Sequence, residues 1–532
     1  MAVAVGSNGT PLVAVAEQPR RRSIRLVLAI ASGLMLSAAF PALDLEPLAW
    51  IGLVPVLFAA RGLAVRAAFG VGWVTGTVFY VATCYWVAST IIHYTAVPMV
   101  LAVGILLLMA AALACYHGGF VAGVRWLEGR GLPALWLAPP LWVTLEWLRG
   151  WFFIGFPWAA LGYSQYRYHD LAQMVEVTGV YGLSALVVLF NVVIAEVLPR
   201  QAVRVRQVMP ALIVLTALVI GIPIAGRMRV ASLAARPPAG SLRVAIVQGN
   251  VEQDHKWDPA YQGETLARYA SLTAAAAASE PKPDLIVWPE TATPFFFQQR
   301  GPLREQVLEL ARRHHVWLLF GSPAFRQARA GVLEELNRAY LVSPDGWEVA
   351  TYDKIELVPF GEYVPFQSIF FFVTQIVQAV GTVVPGLAPT VFDVGGARFG
   401  VLVCYEGVFP ALTRQFIGRG ADFLVNITND AWYGHTSAPY QHLAQAELRA
   451  IENRVPLVRA ANTGISAVVE PDGHARWQGP LFETLWHVEE IRWPGVQTFY
   501  TRFGDVFAWA CALASLAAFG YGSLARRWRR RR

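Results

Sequence analysis

Arg398-Phe-Gly-Val-Leu-Val-Cys404-Tyr405-Glu406 is the stretch on which the reading of the fold turns. A short valine-rich apolar run reads as a strand, and the segment after it, about 408–418, has helical spacing. A thiol at the carboxyl end of a strand, in the turn before a helix, is expected at the sheet's exposed edge with backbone N–H groups nearby. Such groups favour a thiolate and can hold an oxyanion. Cys84, Cys115 and Cys511 all lie in apolar runs, which leaves Cys404 alone in the polar half of the chain. No disulfide is expected there.

Working outward, residues 241–492 alternate short apolar runs with amphipathic stretches, with Pro and Gly at the joints. Strands are expected at 242–248, 284–288, 316–320, 339–342, 399–404, 423–426, 457–460 and 466–469, and helices at 259–278, 302–315, 408–418 and 437–453. Mixed elements in this order imply a layered α/β domain.

Two further residues in this domain bear chemistry. Of the 43 basic residues only Lys256, Lys282 and Lys354 are lysine. Lys354, in Tyr-Asp-Lys-Ile-Glu-Leu-Val-Pro-Phe, offers a compact ammonium that an arginine fork does not replace beside a thiolate or a tetrahedral oxyanion. Glu290 closes Asp-Leu-Ile-Val-Trp-Pro-Glu directly after an apolar run, where burial favours a carboxyl able to accept a thiol proton and return it. Glu362, eight residues after Lys354, is placed to orient the ammonium. There is no G-x-S-x-G elbow, P-loop or H-E-x-x-H. His314 and His315 are neighbours on an expected helix and point apart, so no metal and no cofactor is expected.

The rest of the chain belongs in lipid. Hydrophobic residues make up 55% and charged residues 15%, with a mean hydropathy of +0.43. Residues 1–23 are small and polar and are expected to form a disordered cytoplasmic N-terminus. Seven spans are expected across 24–227, at about 24–40, 46–60, 67–90, 96–121, 133–149, 171–198 and 208–226, each close to the length that crosses ~30 Å of hydrocarbon. An eighth is expected at 505–524, followed by a basic cytoplasmic tail, 525–532.

The links alternate in charge without a slip. Arg20–Arg25, Arg61 and Arg66, Arg125 and Arg130, Arg200 to Arg206 and the tail from Arg526 fall on one side, and the arginine-poor links on the other. The positive-inside rule then puts both termini in the cytoplasm and residues 241–492 outside it. The net charge of +7 is accounted for by this pattern, and no nucleic-acid partner is expected.

Glu290, Lys354 and Cys404, in that order, resemble the catalytic set of the carbon–nitrogen hydrolase, or nitrilase, superfamily, which implies an α-β-β-α sandwich. The strings W-P-E, D-K-x-x-L-V-P-F-G-E and C-Y-E, with N-D-A-W at Asn429–Trp432, are similar to those of the apolipoprotein N-acyltransferase family. A bundle before the domain and one span after it match that family too. The resemblance implies a multi-pass protein of the bacterial inner membrane with a periplasmic catalytic domain. It also implies a ping-pong reaction: Cys404 takes a fatty acyl group from a phospholipid as a thioester, with Glu290 as general base and Lys354 on the oxyanion. The N-terminal amine of a diacylglyceryl-cysteine apolipoprotein then receives the chain. Trp257, Glu362, Tyr405 and Glu406 match supporting positions of the family, and Asn337 matches a further asparagine.

Two apolar loops flank these residues: Pro294 with Phe295, Phe296 and Phe297, and Phe366–Val377 with Phe370, Phe371 and Phe372. They are expected to reach the bilayer interface and guide lipid. Two alternatives stay open on the residues alone. One is a membrane-bound amidase or nitrilase with water as acceptor, and the other a transport or lipid-binding protein that uses Glu146, Glu176 and Glu196.

Overall fold

The computed structural model describes residues 19–152, 154–198, 202–328, 331, 333–365 and 383–531. Among these, five helices are long and apolar enough to cross a membrane: Val65–Thr83, Met99–Glu128, Val180–Val197, Val208–Ala234 and Val506–Arg526. The remaining expected spans take other forms. Pro19–Ala38 is a helix whose first turns carry Arg20, Arg21, Arg22 and Arg25. Residues 46–60 form three short pieces, Glu46–Leu48, Ala49–Gly52 and Val54–Ala60, with Pro47 and Pro55 at the starts of two of them; a proline supplies no N–H to a continuing ladder.

Ala134–Trp151 contains Pro139 and Pro140. The stretch from 171 opens as single turns before Val180–Val197, because Gly179, at φ 60°, takes a conformation that only glycine adopts freely. The next helix continues past its expected end at 226 to Ala234. Arg227 and Arg229 on that extension pair with Asp170 and Glu176 at 3.1 and 3.0 Å.

Residues 240–493 fold into two six-stranded sheets. The first has the order β12-β1-β2-β3-β4-β5, from β1 (Gly240–Gln248), β2 (Leu285–Val287), β3 (Trp317–Gln327), β4 (Leu333–Val342), β5 (Glu348–Asp353) and β12 (Leu485–Trp493). The second has the order β11-β10-β9-β8-β7-β6, from β6 (Val391–Val394), β7 (Ala397–Val403), β8 (Phe423–Thr428), β9 (Leu457–Ala461), β10 (Ala467–Val469) and β11 (Ala475–Gln478). In each the centre is parallel, β1-β2-β3 and β7-β8-β9, and the flanks are antiparallel.

Alternation along the strands builds the layers. Val244, Ile246, Leu285, Val287 and Leu319 pack in the core between the sheets. Their neighbours Ala245, Val247, Ile286, Leu318 and Phe320 pack outward with Leu266, Tyr269, Val307 and Ala311 of the helices Gln262–Ala277 and Pro302–His314. Helices Pro410–Gly418 and Ala438–Asn453 cover the second sheet. The chain thus forms an α-β-β-α sandwich joined to a helical bundle. Strands β5, β6, β11 and β12 lie outside the sequence expectations, since they are exposed or charged edge strands with no apolar run to mark them.

The sandwich is seated on the bundle. Tyr405, Val408, Ala438, Leu448 and Ile451 belong to the same apolar cluster as the membrane helices. The seam carries polar ties as well: the Thr90 hydroxyl donates to the Trp432 carbonyl and the Tyr94 hydroxyl to the Ala431 carbonyl, each at 2.8 Å.

Candidate active site

Strand ends bring the three expected residues together. Glu290 follows β2, Lys354 follows β5 and Cys404 follows β7, so both sheets contribute. Cys404 opens a short 3-10 turn, Cys404–Val408, and takes φ 52°, a left-handed conformation that costs a residue with a Cβ. Its carbonyl is held by Asn426 Nδ2 at 3.3 Å and lies 3.1 Å from His442 Nε2. The turn is fixed from below by Glu406. That carboxylate accepts from Val403 N at 2.6 Å, Tyr352 OH at 2.7 Å and Ile355 N at 2.7 Å, which ties the Cys404 elbow to the loop after Lys354.

The thiol differs from expectation in one respect. Cys404 is buried, because it packs in the core between the two sheets with the first sheet closing over it. Burial, and then the Glu290 carboxylate, push the thiol well above the usual range, against the Lys354 ammonium and a hydrogen bond to Thr428. Both effects favour the neutral thiol over the thiolate.

Glu290 is the carboxylate that bears on it from the other sheet. Its Oε1 accepts from Asn337 Nδ2 at 2.8 Å and lies 3.5 Å from Lys354 Nζ, and its Oε2 accepts from the Asn429 backbone N–H at 3.0 Å. The turn carrying it presses on β3: a Cβ at Gly321 would run into Thr291 N and Glu290 Cα. Lys354 donates to Glu362 Oε1 at 2.9 Å, and Glu362 Oε2 accepts from Val358 N at 2.8 Å. Burial alone would lower the Lys354 ammonium's pKa, but the Glu362 and Glu290 carboxylates together hold it above the ordinary value. It stays charged.

A second layer stands behind. Asp430, fully buried, accepts from Arg459 Nη2 at 2.6 Å and Thr428 Oγ1 at 2.9 Å and faces His442 Nδ1 at 3.1 Å. A Cβ at Gly464 would run into this carboxylate. Sequence reading did not assign Asp430, Arg459, His442 or Thr428 a role. Only the N-D-A-W string marked the region, and a buried arginine looks like any other in a chain that uses arginine almost everywhere.

The supporting residues divide. Glu362 and Asn337 touch the cluster directly, and Glu406 braces the backbone beside Cys404 and Lys354. Tyr405 turns away from it, stacking on Trp158 of the bundle with ring centroids 6.4 Å apart. Trp257 is 49% exposed, while its neighbour Lys256 is buried and donates to the Glu290 carbonyl at 3.2 Å.

The apolar loops also divide. Phe297 is corrected from the lipid-contacting set: it is fully buried, with its ring against Phe320 and Tyr340 and Arg304 over it. It packs in the first sheet's outer core because the loop folds back on Ser322, whose hydroxyl donates to the Phe295 carbonyl. Phe295 and Phe296 are half-buried. Phe370, Phe371 and Phe372 lie outside the described residues. Among the described residues no cluster of His, Cys, Asp and Glu is arranged to hold a metal.

Residues 32–193 match the apolipoprotein N-acyltransferase N-terminal domain family, and residues 243–489 match the carbon-nitrogen hydrolase family. The chain is 43% identical to an apolipoprotein N-acyltransferase of Geobacter metallireducens, over 93% of this chain and 94% of that one. It is 34% identical to an apolipoprotein N-acyltransferase of Azotobacter vinelandii, over 94% and 95%. Among solved structures, a nitrilase-superfamily amidase from Nesterenkonia is 23% identical, with a TM-score of 0.37, covering 50% of this chain and 95% of its own.

Proposed function

The chain belongs to the apolipoprotein N-acyltransferase family, and we propose that Cys404 carries the acyl group as a thioester taken from a phospholipid, with Glu290 moving the proton and Lys354 bearing the charge. The protein is a membrane-associated acyltransferase that N-acylates lipoproteins. The single observation that carries the residue assignment is the convergence of a buried thiol, a carboxylate and an ammonium at three strand ends, with Lys354 1% exposed and Glu290 and Cys404 each 6%.

The chemistry runs in two halves. Glu290 takes the Cys404 proton as sulfur attacks the ester carbonyl, and Lys354 steadies the oxyanion; two of its three N–H groups face Glu362 and Glu290, and the third is the one assigned to the developing charge. Collapse breaks the ester C–O bond, and the leaving alkoxide takes the proton back from Glu290. A lysophospholipid departs and a thioester remains. The neutral amine of the diacylglyceryl-cysteine then attacks, Glu290 receives its proton and passes it to the leaving sulfur, and an amide is formed with the free thiol restored. Ester to thioester to amide ends on the most stable linkage.

The membrane setting favours this over hydrolysis. Tyr405, next to the nucleophile, packs on the bundle, so the acyl-accepting atom stands one residue from a membrane-facing seam. The alternating arginine links support a multi-pass inner-membrane arrangement: spans across 24–227 and 505–524, the 241–492 domain on the periplasmic side, and both termini in the cytoplasm. Half-buried Phe295 and Phe296 remain the described candidates for guiding lipid.

The test is product formation. Purified protein in phospholipid vesicles, given a diacylglyceryl-cysteine peptide, should yield the N-acylated peptide and lysophospholipid in equal amounts, and Cys404→Ala should yield neither. Free fatty acid in place of the amide would overturn the reading in favour of a hydrolase.

A further inference from the structure

Lys256 is the buried ammonium that the reaction above does not use. It ends the short helix Gln253–Lys256 and is 2% exposed, and its Nζ donates to the backbone carbonyl of Glu290 at 3.2 Å. The same short helix reaches the other end of that carboxylate's surroundings: Gln253 Oε1 accepts from Asn429 Nδ2 at 2.8 Å, and the Asn429 N–H donates to Glu290 Oε2. Lys256 therefore holds the turn that presents the base, a turn already strained at Thr291 with φ 46°.

Its charge matters as much as its reach. Glu290 and Glu362 share Asn337 Nδ2, at 2.8 and 3.1 Å, and share the single ammonium of Lys354. Both carboxylates are held by the same two donors, so the turn that carries Glu290 sets where the pair stands. With Lys256 counted, two negative charges face two positive ones.

We propose that Lys256 is a positioning residue of the acyl transfer, the second cation of the site, which fixes the turn that carries Glu290 and so sets where its carboxylate stands. The inference rests on the assignment of Glu290 as base and Cys404 as nucleophile. Burial pulls the Lys256 ammonium down to about 8, with Glu290 and Cys404 holding it up against that pull, so it is charged at neutral pH. The groups facing Glu290 are Lys256 from the 253–256 helix, Lys354 after β5, Glu362 from the following loop, Cys404 after β7, and Tyr433 beyond β8.

The full-length protein is mixed at pH 7.5 with vesicles of phosphatidylethanolamine and phosphatidylglycerol at a series of phospholipid contents, without acceptor, and acyl-adduct growth is followed by intact mass. Lys256→Met should be slower by about tenfold at saturating phospholipid, with the half-saturating phospholipid content and the thermal midpoint unchanged. Lys256→Arg should recover part of the lost rate. A Lys256→Met variant equal to wild type, or one whose loss lies only in half-saturation or goes with a lowered midpoint, would overturn the proposal, the last outcome meaning a purely structural tether. No adduct on wild type, or an adduct on Cys404→Ala, would instead remove the triad assignment, and this inference with it.

Discussion

The two sheets of the catalytic domain are covered in opposite ways. Helices Gln262–Ala277 and Pro302–His314 lay one apolar face on the first sheet and turn Glu264, Arg268, Glu309 and Arg312 to water, where they form surface ion pairs of 3.0–3.3 Å. Helix Ala438–Asn453 over the second sheet is buried at every residue except Tyr440, although it carries Gln441, His442, Gln445, Glu447, Arg449, Glu452 and Asn453. His442 turns inward to Asp430 and the Cys404 carbonyl, while Gln441, Arg449 and Glu452 reach into the seam with the bundle. Arg449 Nη2 donates to Glu452 Oε1 at 3.0 Å and to Tyr163 OH at 2.9 Å, and Arg454 Nε donates to Glu176 Oε2 at 2.7 Å. The lesson is that the domain is half of a larger packed body and not a globe on a tether. Cys404 comes from the sheet that is built into the bundle, and Glu290 and Lys354 come from the sheet that faces water.

That contrast breaks most sharply at buried charges. Glu452→Ala leaves the Arg449 guanidinium without its carboxylate between sheet and bundle, and should cost about 3–5 kcal/mol of stability, read by unfolding in lipid nanodiscs. Asp430→Asn strands Arg459 in the same sheet and should cost a similar amount. Burial alone would raise the Asp430 carboxyl, but Arg459 and His442 hold it below the usual carboxylate range. The stability it contributes is therefore complete above the unfolded value of about 3.9 and is lost as pH falls below that. Asp430→Asn should flatten this acid loss.

Within one tripeptide of the loop after β2, Phe297→Ser should cost about 3–5 kcal/mol as a core truncation. Phe296→Ser should cost about 1 kcal/mol or less and, if that ring meets lipid, raise the phospholipid KM. At the seam, Gln441→Ala removes donors to the Pro41 and Thr83 carbonyls at 2.9 and 3.1 Å and an acceptor for Trp158 Nε1 at 2.7 Å, for about 1–3 kcal/mol. Glu309→Ala on the water side should cost no more than about 0.5 kcal/mol. A seam variant as mild as Glu309→Ala would erase the contrast.

The same contrast decides what the sequence made legible. The parallel central strands are continuous apolar runs, so β1, β2, β7, β8 and β9 are readable; β5 and β12, half-exposed and carrying Glu348, Glu489 and Glu490, are not. Glu290, Lys354 and Cys404 stand out because each closes an apolar run or breaks the chain's preference for arginine. Lys256 carried the same compositional signal, but its contact is with a backbone carbonyl, which no side-chain pattern marks. The exposure expected for Cys404 and for Phe297 failed for one reason: local sequence shows an apolar neighbourhood but not whether a second layer closes over it. Tyr405 is a family match whose partner, Trp158, lies far away in the sequence, in the turn after helix Ala134–Trp151, and is visible only in three dimensions.

The most direct test of the central claim is the intact mass of the purified protein after incubation with phospholipid alone. One acyl chain should appear, released by neutral hydroxylamine as a thioester is, and Cys404→Ala should remain at its starting mass. Undiminished N-acylation of a lipoprotein peptide by Cys404→Ala would contradict the account.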